Sequence, residues 1–139
     1  MAVVRSRIIM RKQLLVKGLH MPERFNTQFW QMVDKLVAQT DVIVDRPKDS
    51  QHPDWDDMIY PLDYGYLAGT SSSDGSGIDV FLGNGDHKRV TAVVCTVDLL
   101  KRDSEIKILL GCTEDDMQTI TDFVNSGDNM GCFLVRRTE

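Results

Sequence analysis

A chain of 139 residues, 42% hydrophobic and 27% charged, is one domain's worth of sequence and long enough to bury a core without staples. Its three cysteines, Cys95, Cys112 and Cys132, are odd in number and form no C-x-x-C, so they indicate neither a disulfide framework nor a zinc site, and a reduced, cytoplasmic setting is the default. The net charge of −5 disfavours nucleic acid as the main partner, and no stretch approaches the length of a membrane span, Ile8-Ile9-Met10 being broken at once by Arg11 and Lys12.

The charge is uneven along the chain. Residues 1–20 carry Arg5, Arg7, Arg11, Lys12 and Lys17 and no acid, a net of +5, which leaves 11 basic and all 21 acidic residues to the rest, a net of −10. The sequence therefore divides into a basic extension, 1–20, read as a disordered leader, and a single domain, 21–139. A targeting or nucleic-acid-binding arm is the alternative for the extension.

From Asn26 onward, Phe29, Trp30, Val33, Leu36 and Val37 recur at helical spacing and predict an amphipathic helix ending near Thr40. Val42 to Val44 is a short strand that runs into Asp45-Arg46-Pro47, where proline stops the ladder. Residues 48–57 are a polar loop, Tyr64 to Leu67 an extended run, and Ser71 to Gly77 a loop by composition. Ile78 to Leu82 and Arg89 to Thr96 are β-rich runs on either side of Gly83-Asn84-Gly85-Asp86, a pattern that predicts a hairpin. A third run covers Glu105 to Leu110. Thr113 followed by three acids caps a second helix with Met117, Ile120, Phe123 and Val124 as its buried stripe, and Cys132 to Val135 is the last strand. Short strands separated by turns, with two helices, predict a mainly β (α+β) fold, a small five- to six-stranded OB-like barrel with two flanking helices.

Chemistry concentrates between residues 74 and 107. Asp79 sits inside the apolar run Ile78-Asp79-Val80-Phe81-Leu82, where alternation places it with Phe81 on one face. On an interior face it needs a cation, and on a solvated face it needs nothing. Asp74, before Gly75, is alone a turn residue; paired with Asp79 it can converge on one hard cation, since Mg²⁺ takes oxygen ligands and only one or two carboxylates. Asp98 ends a strand, and Glu105 and Lys107 share one face of the next, either as site groups or as solvated charges of an amphipathic edge strand. His20, His52 and His87 lie far apart and receive no role.

The run Tyr60-Pro61, Tyr64-Gly65-Tyr66, Asp74-Gly75 and Ile78-Asp79 resembles the signature region of the soluble, magnesium-dependent inorganic pyrophosphatases. The resemblance implies a barrel of that type, Mg²⁺ as cofactor and pyrophosphate or a related phosphoanhydride as substrate. It assigns metal to Asp74, Asp79, Asp98 and Glu105, phosphate oxygens to Arg46, Tyr64 and Lys107, and the catalytic role to Asp74, Asp79, Lys107 and Tyr64. Members of the family often associate, which suggests a homo-oligomer. Two positions depart from the pattern, Ser76 standing for an Asp and Gly77 for a Pro, and Phe123-Val124 falls where a phosphate-binding Tyr-Lys pair is expected. The early acidic and basic site residues of the family have no counterpart before Arg46. The sequence thus supports a pared-down hydrolase and, as the alternative, a non-catalytic binding or assembly module on the same fold.

Overall fold

The computed structural model describes residues 21–138; the basic extension 1–20 lies outside the described residues. In chain order the elements are α1 (Met21–Gln39), β1 (Val42–Arg46), β2 (Asp63–Leu67), β3 (Asp79–Leu82), β4 (Val90–Asp98), β5 (Asp103–Leu110), α2 (Glu114–Val124) and β6 (Met130–Arg136). The six strands form one mixed sheet in the order β1-β2-β3-β5-β4-β6, antiparallel except for the parallel pair β3 and β5. The fold is mainly β with two flanking helices, as the sequence predicts, but among the described residues β1 and β6 are the edges of the sheet, which does not close on itself.

Strand alternation divides the apolar residues between two faces. Tyr64, Phe81, Ala92, Val94 and Leu109 join Met117, Ile120 and Val124 of α2 in one core. Leu67, Val80, Leu82, Val93, Ile108 and Leu110 join Trp30, Val33 and Val37 of α1 in the other. The molecule is therefore three layers deep, helix on sheet on helix, and each fully buried Val, Leu, Ile or Phe contributes about 1.5–3 kcal/mol.

The hairpin expected across residues 83–86 does not form. β5 inserts between β3 and β4, with Val80 opposite Ile108 and Val93 opposite Ile108 on its other side. The loop from Gly83 to Arg89 instead hands its backbone bonds to the end of β5, Gly83 N–H donating to the Leu110 carbonyl and Gly85 N–H to that of Gly111. The tight turn lies between β4 and β5, where Arg102 takes a left-handed φ of 56° and the carboxylate of Asp98 accepts from the N–H groups of Leu100 and Lys101 at 2.9 and 3.1 Å.

Both helices are capped from the sequence. Thr113 and Asp116 form a reciprocal capping box at α2, and three acids occupy its first turn. α1 has no basic residue in its last turn, and Lys88, from the loop before β4, donates to the carbonyls of Val37 and Thr40 at 3.3 and 3.1 Å. At the other end of the chain Arg137 grips Asp34 of α1 through two bonds of 2.6 and 2.7 Å, its guanidinium 5.9 Å from the Trp30 ring centroid. The last strand is thereby fastened to the first helix. No described helix is long and apolar enough to cross a membrane.

Candidate active site

The site is assembled by β2, β3, β5 and the loop 71–77. β2 can approach β1 closely because Gly65 has no side chain: a Cβ there collides with the Ile43 carbonyl. That approach holds Tyr64 opposite Phe81 of β3, with its ring in the core and its hydroxyl turned towards β5. There the buried ammonium of Lys107 donates to the Tyr64 hydroxyl at 2.9 Å, to Asp79 Oδ2 at 2.8 Å and to Glu105 Oε2 at 3.3 Å. All three donors of one ammonium are thus satisfied by groups from three different strands. Glu105 is as well covered as the lysine, its side chain 7% exposed.

The loop 71–77 brings a further carboxylate. Gly75, at φ 81°, lets the chain turn back so that Ser72 N–H reaches the Ser76 carbonyl, and Ser76 N–H and Ser72 Oγ both donate to Asp74 Oδ1, at 2.9 and 2.8 Å. Ser73 Oγ donates to the Ser104 carbonyl at 2.7 Å, which pins the loop to β5. As a result one oxygen each of Asp74, Asp103 and Glu105 lies within 4.8 Å of the others. Asp103 Oδ2 is buried and has no hydrogen-bond partner. Three converging carboxylates of which one carries an unsatisfied buried oxygen fit a hard divalent cation, whose ligands are oxygens at 2.0–2.6 Å.

Arg46 ends β1 beside Tyr60 and Tyr64. It donates to the Tyr60 hydroxyl, and its guanidinium lies 5.4 Å from the Tyr60 ring centroid and 5.8 Å from that of Tyr64. Lys107 lies 5.4 Å from the Tyr64 centroid, so Tyr64 has a cation on two sides. Phe123 of α2 packs against Tyr60 and Phe81 with centroids at 5.3 and 6.4 Å, contributing area but no polar group to the site.

The electrostatics follow from burial and bonding. Burial pushes the Tyr64 hydroxyl far up, reinforced by the charge of Asp79, so it remains a neutral donor. Asp74 is held down at about 2 by the bonds from Ser72 and Ser76, and stays ionised. Glu105 is raised by burial against the pull of Lys107, with the charges of Asp74 and Asp79 adding to the rise. Opposed shifts of this kind on neighbouring carboxylates separate an always-charged group from one able to carry a proton.

Of the residues singled out by sequence, Asp74, Asp79, Glu105, Lys107 and Tyr64 meet at one place, and Arg46 adjoins them through the tyrosine rings. Asp98 does not join the three-carboxylate group; it is buried and holds the β4–β5 turn. Asp103, to which the sequence reading gave no role, takes part instead. The signal was present as strand periodicity, since Asp103, Glu105 and Lys107 alternate along one face of β5.

Comparison of the sequence with protein-family models and with curated proteins finds no match. Solved structures similar to this chain include an inorganic phosphatase from Anaplasma phagocytophilum, at 17% identity over 68% of this chain and 81% of that one, TM-score 0.45. An inorganic pyrophosphatase from Helicobacter pylori is similar at 14% identity over 70% and 82%, TM-score 0.46. One from Coxiella burnetii is similar at 16% identity over 58% and 64%, TM-score 0.39.

Proposed function

We propose that the protein is a hydrolase of pyrophosphate or a related small phosphoanhydride that works with Mg²⁺ in a cytoplasmic setting. The observation that carries this reading is the shared ammonium of Lys107, bonded to Tyr64, Asp79 and Glu105 beside the three-carboxylate cluster. Such a site presents fixed positive charge and a neutral hydroxyl donor on one side and a cation-binding acid group on the other. Hydrolysis of a phosphoanhydride needs little else, because its catalysis is mainly positioning and charge neutralisation.

In this proposal Asp74, Asp103 and Glu105 hold the cation. Bound there, a divalent ion neutralises diphosphate charge and makes nearby water more acidic. Arg46 binds phosphate oxygens, Lys107 joins it by exchanging its longest bond, that to Glu105 at 3.3 Å, for a phosphate oxygen, Tyr64 donates from its hydroxyl, and Asp79 keeps Lys107 oriented while accepting a proton from water. Ser76, in place of a carboxylate, removes one group that would share that task; loss of a general base costs about 10²- to 10⁴-fold. The proposed activity is correspondingly slow.

A second reading, a non-catalytic binding module, is favoured by a specific observation: Lys107 already pairs with both Asp79 and Glu105, so the fold tolerates these two carboxylates side by side without a metal. Phosphate release from pyrophosphate with added Mg²⁺ separates the two. The native chain is expected to exceed background, Asp79→Asn to lose most of the rate, and Ser76→Asp to gain. Background release from the native chain and from Ser76→Asp rejects the hydrolase for this substrate.

A further inference from the structure

A diphosphate brings two charged phosphoryl groups to a site whose central cation is already engaged. The ammonium of Lys107 is bonded to three acceptors, and Arg46, bonded to the neutral hydroxyl of Tyr60, is the nearest cation with charge to spare. The ring of Tyr60 is where further groups gather. Arg46 lies 5.4 Å from its centroid, His52 stacks along it at 6.1 Å with the planes 16° apart, and Phe123 of α2 closes on it at 5.3 Å.

His52 is held in place by the backbone between β1 and β2, which folds back on itself. Asp49 N–H donates to the Tyr60 carbonyl, Tyr60 N–H to that of Ser50 and His52 N–H to that of Met58, and Gln51 pairs with Ile59. The ring is fixed chemically as well as spatially. Its Nδ1 accepts from Asp54 N–H at 3.0 Å, so in the neutral imidazole the proton sits on Nε2, a donor that no described residue accepts. Burial, then the charge of Arg46 and more weakly that of Lys101, holds His52 below its ordinary 6.5 against the pull of Asp54. Both cations are therefore within electrostatic reach of this ring.

Lys101 comes from the β4–β5 turn on the side of the carboxylates. Its Nζ lies 3.7 Å from Asp74 Oδ2, with the lysine side chain 62% exposed. That separation is too long for a hydrogen bond, and exposed pairs of this kind contribute little, so the ammonium exchanges Asp74 for another anion at small cost.

We infer that Arg46, His52 and Lys101 form a second phosphoryl subsite, so that the protein takes its ligand by two adjacent phosphoryl groups. This rests on the hydrolase reading, in which Lys107 and Tyr64 meet the first group beside the carboxylates. The Arg46 guanidinium, the Nε2–H of His52 and the ammonium of Lys101 bind the other. Phe123 gives that subsite an apolar wall and no charge, so its positive charge comes from β1, the segment after it and the β4–β5 turn.

Titration calorimetry of the full chain with Mg²⁺, using methylene diphosphonate and inorganic phosphate as probes, reads binding without turnover. The native chain is expected to prefer the diphosphonate. His52→Phe, which keeps a ring and removes the N–H, and Lys101→Gln should each weaken diphosphonate binding about tenfold, the worth of one charge-assisted bond, and leave phosphate binding unchanged. Lys35→Gln, exposed on α1, should change neither, and melting curves show that each variant folds. Variants that bind the diphosphonate as tightly as the native chain, or that lose both probes alike, overturn the inference and leave the hydrolase reading standing on phosphate release. A native chain that binds no diphosphonate also overturns it, and phosphate release from pyrophosphate then decides separately whether the hydrolase reading falls.

Discussion

At the scale of single residues the molecule depends on Lys107. It is 7% exposed and bonded to three acceptors, so removing its charge strands Glu105 in the interior. Lys107→Met is expected to cost about 3–5 kcal/mol in urea unfolding, the usual penalty for breaking a buried pair from one side. Acid should also weaken the fold, in a definite window. Asp74 and Asp34 titrate below their ordinary 3.8, Asp74 through its bonds from Ser72 and Ser76 and Asp34 through its bond from Arg137, so the unfolded chain takes up those protons first. Both contributions are whole above 3.8 and are lost at lower pH, that of Asp74 as pH falls towards about 2. Glu105 acts in the opposite sense, since its raised value favours the protonated folded state and returns some stability as pH drops towards its ordinary 4.5. Melting temperature should therefore be flat or slightly rising down to pH 4.5 and fall steeply between pH 3.8 and 2; a monotonic decline from neutrality would contradict this. Placement was legible where a motif fixed it: spacing singles out Asp74, Asp79 and Tyr64, and the fold brings them to one place. That Asp103 and not Asp98 lies close to Asp74 and Glu105 was not legible, because both flank one hairpin turn and are paired across it, and only the turn's geometry decides which carboxylate accepts from the turn.

At the scale of elements, local signals were sufficient for existence and insufficient for pairing. Periodicity located both helices, and Thr113 with its three following acids identified the start of α2. Thr113→Ala should cost about 1 kcal/mol, since both halves of the capping box are present, and the loss is readable as a shift of the urea midpoint at unchanged slope. The partner of β3 was not local. Gly83-Asn84-Gly85-Asp86 has hairpin composition, but Val80 and Leu82 are buried against Ile108 and Leu110, and their shared burial under α1 outweighs the turn's preference. The strand that separates β3 from β4 comes later in the chain, so no short window of sequence contains the information.

At the scale of the whole molecule, the predicted layering of mainly β structure between two helices is present, while the closure of the sheet into a barrel is not. β1, with its bulge, and β6, with Asn125 over its middle peptide, end the sheet as two separate edges. A cation held by Asp74, Asp103 and Glu105 would tie the loop 71–77 to β5 and act on global stability. Mg²⁺ at about 100 times its Kd is expected to add about 2.7 kcal/mol. The increment should vanish in Asp103→Asn and persist in Asp98→Asn, measured as thermal shift; equal responses in the two variants would remove Asp103 from the cation site.

The double bond from Arg137 to Asp34 spans 103 positions of the chain. During synthesis the helix bearing Asp34 is made 103 residues ahead of its clamp. Until then the apolar stripe of Trp30, Val33 and Val37 has neither its full sheet nor its ionic anchor, so the nascent protein waits with that stripe unsheltered. A chaperone that holds emerging hydrophobic helices would find its target here, and replacing Arg137 should lengthen that period of dependence.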